Sequence, residues 1–293
     1  MRLVTRGDLD GLTASVLITE MEQIDEIQLV HPQDITDKKV VITSDDILAN
    51  LPYDPRAGMW FDHHAHTVMP EGSYKGAYEV APSVARVIYN YYAADKLKRF
   101  DHLVKETDRF DSADLTMEDV VNPQEVILLG FLVDPRTGMG GDFRTQFTSL
   151  VERLRSRDLS EILNDPDIRE QTAIFRRDDQ SFHEFLLAHS KVHGKVVVTD
   201  YRDVENPPAG NRFLVYTTFP DCNVSLRIQW GPGRKLVALN LGHSIFDRSC
   251  TVDVGEFCRK YGGGGHRGAG GCVLRPMAAD LAIRIITEKL KKN

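Results

Sequence analysis

Carboxylates and histidines that could hold metal ions occur in three places near the start of the chain. They are Asp8 and Asp10 in an Asp-Leu-Asp-Gly motif, the pair Asp45 and Asp46, and the triplet Asp62, His63 and His64. Two carboxylates about 4 Å apart repel each other by about 4 kcal/mol at an effective dielectric near 20, and bound cations turn that repulsion into coordination. Oxygen and imidazole donors without thiolate favour Mn²⁺ or Mg²⁺. Two such ions about 3.5–4 Å apart activate a water and neutralise a phosphate during in-line attack.

A second chemical motif is the glycine-rich stretch 262–271, which contains Gly263, Gly264, Gly265, His266 and Arg267. Glycines let the backbone approach a ligand, and consecutive amide groups form anion-binding nests. The imidazole and the forked guanidinium add donors that fit phosphate. We therefore expect a glycine-rich anion-binding loop here.

The acidic motifs follow short apolar runs that are typical of buried strands. The runs are Arg2–Thr5, Ile27–Val30, Val40–Thr43 and Met59–Phe61, with helices expected at Leu12–Met21 and Val84–Tyr92. Alternation of strands and helices predicts an α/β fold, a parallel sheet flanked by helices. Ligands bind at the carboxyl ends of such strands, so the three acidic motifs are expected to converge there.

Helices continue through the middle of the chain, at Phe100–Thr107, Pro123–Val133, Thr145–Leu154 and about Ile168–His189. After Gly194, shorter strands bounded by Pro and Gly turns predict a smaller α+β module, with strands at Lys195–Thr199, Phe213–Thr217, Asn223–Trp230, Lys235–Leu241 and Cys272–Leu274. We therefore predict two domains, residues 1–190 and 194–293.

Charge is divided unevenly between these domains. Residues 194–293 carry 15 Lys and Arg against 9 Asp and Glu, a net charge of +6. Because the whole chain has a net charge of −7, residues 1–193 have a net charge of −13. The acidic domain would repel long duplex DNA, whereas the basic one suits a short anion.

The four cysteines form no C-x-x-C pair, and we expect buried thiols. The lack of a long apolar run and of a signal peptide predicts a cytoplasmic protein that does not enter membranes.

The Asp-His-His triplet and the glycine-rich motif together resemble the DHH/DHHA1 phosphoesterase family, over nearly the whole chain. The resemblance is strongest to exopolyphosphatase-related and nanoRNase or pAp-phosphatase-like members. It implies an N-terminal DHH domain that binds two Mn²⁺ ions, with Mg²⁺ as the substitute, and a C-terminal DHHA1 domain that binds the substrate.

By this resemblance, the metal ligands are Asp8, Asp10, Asp45 or Asp46 (Asp46 preferred), His63 and a fourth-motif aspartate (Asp108 preferred over Asp111). His64 would face the phosphate or leaving group, and Asp62 would orient the two histidines. Many relatives carry a histidine ahead of the first motif, where this chain has Arg6. An arginine cannot ligate a cation, so one metal site is expected to be weaker, completed by water, or occupied only with substrate present. His66 is a spare ligand or a solvated histidine.

The same resemblance assigns substrate contacts to Arg248, Ser249 and the glycine-rich motif. The expected substrate is a small phosphorylated molecule cut from an end: a short RNA, pAp, a dinucleotide or polyphosphate. Two alternatives stay open, namely a catalytically decayed nucleotide- or RNA-binding module, which Arg6 favours, and a haloacid-dehalogenase-type phosphatase with Asp8 as nucleophile. The sequence leaves the oligomeric state open, a homodimer included.

Overall fold

The computed structural model describes residues 1–65, 67, 71–134 and 142–292. Contacts divide the chain into two compact units. Unit 1 comprises residues 1–115 and 123–175, and unit 2 comprises residues 116–122 and 176–293. The contact boundary at Phe175 and Arg176 falls inside a long helix. The sequence-based limits at 190 and 194 stay a prediction.

The sheet of unit 1 is parallel throughout. Its strands are β1 (Arg2–Thr5), β2 (Glu26–Leu29), β3 (Asp46–Ala49), β4 (Met59–Asp62) and β5 (Gly76–Tyr78). The order is β2-β1-β3-β4-β5, and every neighbouring pair is parallel. From β1 the chain passes to β2 on one side, and β3, β4 and β5 then follow on the other side. In open parallel sheets, ligands bind at the carboxyl ends of the strands where the strand order reverses in this way. The predicted α/β class is confirmed.

The described helices connect these strands and continue into unit 2. In chain order they are α1 (Leu9–Met21), α2 (Pro32–Thr36), α3 (Val84–Tyr92), α4 (Asp101–Asp111), α5 (Met117–Val121), α6 (Glu125–Leu132), α7 (Phe143–Ser156), α8 (Leu159–Leu163), α9 (Pro166–His189), α10 (Leu214–Thr218), α11 (Val254–Arg259) and α12 (Pro276–Leu290), with 3-10 turns at Asp95–Phe100 and Pro232–Arg234.

The core of unit 1 explains why its central strands are apolar along their whole length. Every residue of β3 and β4 is buried, as expected for a sheet covered on both faces. Helix α1 is buried at every position from Leu9 to Ile18, so it is an interior helix, not an amphipathic surface one. A buried hydrogen bond of 2.7 Å joins the hydroxyls of Thr13 and Thr107, and ties α1 to α4.

Unit 2 contains a mixed sheet of six strands. They are β6 (Ser190–His193), β7 (Val196–Asp200), β8 (Val224–Trp230), β9 (Val237–His243), β10 (Gly264–His266) and β11 (Ala269–Leu274). The order is β10-β11-β9-β8-β7-β6, and only β7 and β8 run parallel. Alternate residues of β8 and β9 form the core with α11 and α12. The predicted second α+β module is confirmed.

Three sequence-based element assignments are wrong. Residues Val40–Thr43 are not a strand, and Val41 is 73% exposed. The apolar run Phe213–Thr217 forms α10, because the Asn211 side chain accepts the Phe213 N–H (2.9 Å) and turns the chain. The glycine-rich stretch is a hairpin of β10 and β11, not a loop.

The four cysteines are buried, as predicted. Within the described ranges, the chain has no helix long and apolar enough to cross a bilayer.

Candidate metal centre and substrate-binding residues

Three side chains of unit 1 converge at the carboxyl edge of its sheet. Asp10, His63 and Asp111 each place one potential ligand atom within 4.8 Å of the other two. The Nε2 atom of His63 lies 3.5 Å from an oxygen of Asp10 and 3.5 Å from an oxygen of Asp111. The sequence predicted Asp10 and His63 as neighbours at this edge, and the structure brings them together.

Asp10 is fixed by the start of another helix. It lies in the first turn of α1, is buried, and accepts the backbone N–H groups of Val84 and Ala85, each at 2.9 Å. These amides are the unpaired donors that open α3, so the carboxylate is held where a helix favours negative charge. One rotamer of Asp10 is thereby selected before any ligand arrives.

His63 follows β4 directly and is held in one tautomer. Its Nδ1 atom lies 3.0 Å from the carbonyl of Ala81, which can only accept, so Nδ1 carries the proton. The opposite nitrogen, Nε2, therefore presents a lone pair, and this buried atom has no hydrogen-bond partner. The His63 side chain is 8% exposed. A buried, unpaired imidazole nitrogen beside two carboxylates fits a divalent cation.

The fourth motif contributes Asp111 to this group, in place of the preferred Asp108. Asp108 instead accepts the Ser83 hydroxyl at 2.6 Å and two N–H groups of Arg86 at 2.9 and 2.7 Å. It therefore links α4 to the start of α3. Asp111 is the last residue of α4 and points to His63.

The carboxyl groups of the centre repel one another. Loss of solvation, together with the charges of Asp111 and Asp8, raises the pKa of Asp10 well above its usual value. Loss of solvation also raises the pKa of Asp111, with a further contribution from Asp8. A bound cation relieves such repulsion, and the oxygen and nitrogen donors suit Mn²⁺ or Mg²⁺. The residues present therefore fit a divalent metal.

The remaining two members of the triplet form a dyad. The Nδ1 atom of His64 lies 2.7 Å from Asp62, which also accepts the Thr67 hydroxyl. The hydrogen bond with Asp62 raises the pKa of His64, although burial opposes this shift. The His64 ring lies 4.4 Å from that of His63, centroid to centroid. Asp62 was predicted to orient both histidines; the described contacts join it to His64, whereas His63 is oriented by Ala81.

Asp8 is adjacent to the centre but is occupied by protein donors. Its Oδ1 atom accepts the Gly11 N–H at 2.9 Å as the N-cap of α1, and lies 3.3 Å from the amide nitrogen of Asn50. Its Oδ2 atom lies 3.1 Å from Nε of Arg6. The structure thus supports Asp8 as a neighbour of the centre and does not place it among the three convergent ligands.

The predicted placement of Asp45 and Asp46 needs correction. Strand β3 begins at Asp46, which pairs in register with Arg2 at the amino edge of the sheet. Arg2 donates to both oxygens of Asp46 at 2.8 and 2.7 Å, and these bonds, with those from Thr43, hold the pKa of Asp46 below its usual value although burial opposes this. The residue that β3 delivers to the carboxyl edge is Asn50, which the sequence analysis missed.

One further predicted residue and one residue without a prediction belong to this region. His66 lies outside the described residues. The role of Ala81 in orienting His63 was missed, because a backbone carbonyl 18 residues away carries no signal in side-chain chemistry.

The predicted substrate-binding residues lie together at one edge of unit 2. In the hairpin, Gly264 and Gly265 pair with Gly271 and Gly270, and His266 pairs with Ala269. The His243 N–H donates to the Gly268 carbonyl at 2.8 Å, so the chain that leaves β9 borders the hairpin turn.

This same edge carries the side chains with phosphate-binding chemistry. Arg248, Ser249, His266 and Arg267 are all exposed. The Ser249 hydroxyl lies 3.0 Å from the Asn223 amide nitrogen and 3.3 Å from Lys195 Nζ. The Nδ1 atom of His266 accepts the Gly268 N–H at 3.2 Å, which leaves Nε2–H as a donor. Close packing explains the glycines: a Cβ on Gly263 would lie 2.0 Å from the Gly271 oxygen.

Comparison with solved structures identifies similar chains. A pGpG-specific phosphodiesterase, PggH, from Vibrio cholerae is 36% identical over 99% of both chains, with a TM-score of 0.89. An exopolyphosphatase-related protein from Bacteroides fragilis is 11% identical over 99% of this chain and 91% of that one, with a TM-score of 0.54. RecJ from Thermus thermophilus, in complex with Mn²⁺, is 11% identical over 100% of this chain and 52% of that one, with a TM-score of 0.55. The last two show a shared fold.

Neither a scan against protein-family models nor a search of curated proteins finds a match.

Proposed function

This chain belongs to the DHH/DHHA1 phosphoesterase family, and we propose that within it the protein hydrolyses short 5′-phosphorylated dinucleotides, pGpG first among them, to mononucleotides. Membership makes it a metal-dependent phosphoester hydrolase. The observation that carries the narrower proposal is the 36% identity to a pGpG-specific phosphodiesterase over 99% of both chains, combined with the convergence of Asp10, His63 and Asp111.

The proposed centre uses each residue for one task. Asp10, His63 and Asp111 hold a divalent ion, which supplies Lewis acidity toward the phosphate and toward a water when bound. Asp62 holds His64 so that its ring donates a hydrogen bond to a phosphate oxygen or to the leaving oxygen. The amides at the start of α3 fix Asp10, and the Ala81 carbonyl fixes His63, so both ligands keep their orientation without substrate.

We assign substrate binding to the exposed edge of unit 2. Arg248, Ser249, His266 and Arg267 would bind a phosphate or sugar of the dinucleotide away from the bond that is cut. Forked guanidinium donors match phosphate geometry, and the net charge of +6 on residues 194–293 supports an anionic ligand.

The choice of metal is part of the proposal. Two oxygens and one nitrogen are hard or borderline donors, which suit Mn²⁺ and also accept Mg²⁺. The RecJ structures contain Mn²⁺ or Mg²⁺, in agreement with this choice. The prediction of two ions stays a prediction here, because the described ligand group has three members.

A substrate panel tests the proposal. Protein stripped with a chelator is supplied with Mn²⁺ or Mg²⁺ and offered pGpG, pAp, a five-nucleotide RNA or polyphosphate. We expect pGpG to give GMP with a kcat/KM at least about tenfold above the others, since selective pockets discriminate on that scale or more. Preference for another member of the panel would refute the substrate assignment but leave the phosphoesterase class intact. Binding of pGpG without hydrolysis under either metal would favour the decayed binding module.

A further inference from the structure

Three protein donors surround the Asp8 carboxylate, the residue next to the three-ligand group. Gly11 and Asn50 approach one oxygen, at 2.9 and 3.3 Å, and the Nε atom of Arg6 approaches the other at 3.1 Å. The negative charge of Asp8 is therefore already matched by the positive charge of Arg6. An incoming cation would have to displace this guanidinium to use Asp8 as a ligand.

Asn50 places a neutral amide directly after β3, at the carboxyl edge of the sheet. The residue is 1% exposed, follows β3 directly, and has a φ of 61°, a left-handed conformation that asparagine tolerates better than most residues. Its amide nitrogen faces Asp8. A donor in this position stabilises the Asp8 carboxylate, whereas an aspartate would repel it and would offer a second ligand group.

The charges at this edge suffice for one divalent ion. Asp10 and Asp111 supply two negative charges, and the buried Nε2 of His63, which has no hydrogen-bond partner, lies 3.5 Å from both. The carboxylate of Asp62 is hydrogen-bonded to His64 at 2.7 Å, and that of Asp8 is paired with the guanidinium of Arg6. A second divalent ion at Asp8 would therefore have to displace the guanidinium of Arg6, which cannot ligate a cation, and would gain from Asn50 only a neutral amide oxygen.

We propose that the centre binds a single divalent ion, through Asp10, His63 and Asp111, and that the guanidinium of Arg6 takes the place of a second ion toward the substrate phosphate. Asp8 and Asn50 act as positioning residues for Arg6, whose side chain is 37% exposed and thus open to a ligand. The phosphate contact rests on the proposed function; the number of ions does not.

The number of ions is measured on the native chain. Metal-free protein is titrated with Mn²⁺ by calorimetry and by electron paramagnetic resonance, with and without GMP. We expect one Mn²⁺ per chain under both conditions and the six-line spectrum of an isolated ion. Two ions per chain, or a spectrum of coupled ions, would overturn the proposal.

Variants test the two side chains that exclude the second ion. The double variant Arg6→His with Asn50→Asp supplies a nitrogen and an oxygen donor beside Asp8, so it is expected to bind two Mn²⁺. Failure to gain a second ion, in a variant whose circular dichroism matches that of the native chain, would contradict the exclusion argument.

The role of Arg6 toward phosphate has its own test. Arg6→Ala is expected to retain one Mn²⁺ while kcat on pGpG falls about 10²–10³-fold, the loss typical of one charge-stabilising donor. The matched control is Arg144→Ala, which removes an exposed guanidinium paired with Glu26 at 2.7 Å and should alter neither quantity. An unchanged kcat in Arg6→Ala would refute the proposal that the Arg6 guanidinium takes the place of a second metal ion.

The outcomes separate this proposal from the proposed function. A native chain that binds one Mn²⁺ but hydrolyses no pGpG would refute the function and leave the ion count standing. A chain that hydrolyses pGpG with two bound ions would refute the single-ion centre alone.

Discussion

His63 and Asp111 are the residues that define the centre most closely. The lone pair of His63 Nε2 is made available by the Ala81 carbonyl, and Asp111 lies 3.5 Å from it. Asp108, one helical turn earlier, is paired with Arg86 and has a different task. Two aspartates of the same helix therefore differ in function because of their partners.

This difference yields a prediction at the residue scale. Asp111→Asn should weaken Mn²⁺ binding and lower kcat/KM on pGpG at least about a hundredfold, since loss of an outer partner of a ligand alone costs 10–100-fold. Asp108→Asn, which keeps the shape of the side chain, should lower thermal stability with a far smaller effect on Mn²⁺ affinity. Calorimetric Mn²⁺ titrations of both variants check this. Equal losses of affinity would contradict the assignment of Asp111.

The sequence alone does not decide whether Asp108 or Asp111 belongs to the centre. Asp8, Asp10, Asp62 and His63 were recognisable because each follows an apolar strand that reaches the same edge. Residues 108 and 111 lie three apart on one helix, so periodicity places both on similar faces. Their contacts tell them apart: Asp108 pairs with Arg86 and Asp111 approaches His63, and both contacts depend on how α4 packs.

At the scale of elements, the first turn of α1 positions the acidic motif. Gly11 lies in this turn, and a Cβ there would lie 2.0 Å from the Arg6 carbonyl oxygen and 3.0 Å from the Thr5 hydroxyl. The close approach of strand end and helix start is what directs Asp10 toward α3. Glycine is required here by contact with backbone.

Gly11→Ala should therefore destabilise the protein, although alanine favours helices. Overpacking against fixed atoms costs about 1–3 kcal/mol, against about 1 kcal/mol gained from helix propensity. Gly264→Ala is the control, because its Cβ would meet no atom within 4 Å. Urea unfolding of both variants measures the difference. An unchanged midpoint for Gly11→Ala would contradict the described packing.

One of the wrongly predicted elements is a strand that was placed a few residues too early in the chain. The runs Val40–Thr43 and Asp46–Ala49 are both apolar, and only the second one pairs with β1 and β4. The predicted strand placed Asp46 at the carboxyl edge of the sheet, whereas the structure has it at the amino edge. Asn50 was overlooked for the same reason, since an amide in place of a carboxylate gives no metal-binding pattern. The parallel sheet itself was predictable from the alternation of strands and helices.

Helix α9 contains a partly buried titratable group, Asp179, that links its second half to the rest of unit 2. Asp179 accepts the Asn211 N–H at 2.7 Å, and burial raises its pKa to about 6, with Asp178 adding to the shift. The folded protein therefore keeps a proton on Asp179 that the unfolded chain releases near pH 4. As pH rises through this interval, the unfolded state binds fewer protons, so stability falls.

The corresponding prediction concerns thermal unfolding between pH 4 and pH 6.5. In this interval, Asp179→Asn should remove part of the fall in Tm that the native chain shows with rising pH, because asparagine keeps the acceptor without the charge. Asp203→Asn, at an exposed aspartate of unit 2 that does not contribute to this shift, serves as control. Identical pH profiles for Asp179→Asn and the native chain would contradict the burial of this charge.

At the scale of the whole molecule, chemistry and substrate binding are assigned to different units. Unit 1 carries the ligand group, and unit 2 presents Arg248, Ser249, His266 and Arg267 at one edge. Residues 1–193 carry a net charge of −13 and residues 194–293 one of +6, so the part of unit 2 with the proposed binding residues is the basic part of the sequence. Composition predicts such a division, whereas the hairpin geometry of the glycines depends on contacts between β10, β11 and α11.

If unit 2 binds the substrate and unit 1 carries the metal centre, a substitution in unit 2 should change KM without changing the hydrolytic step. Arg267→Ala should raise KM for pGpG at least about tenfold while Mn²⁺-dependent hydrolysis of bis(p-nitrophenyl) phosphate, which lacks a second phosphate, stays unchanged. Arg275→Ala removes another exposed arginine of unit 2 and is the control. Parallel losses on both substrates in Arg267→Ala would indicate a structural role.

The most direct test of the account is Mn²⁺-dependent release of GMP from pGpG by the native chain and by His63→Ala. We expect turnover to vanish on metal removal, to return with Mn²⁺, and to fall at least about a hundredfold in His63→Ala with its fold intact. Hydrolysis that persists in His63→Ala, or proceeds equally without a divalent ion, would contradict it.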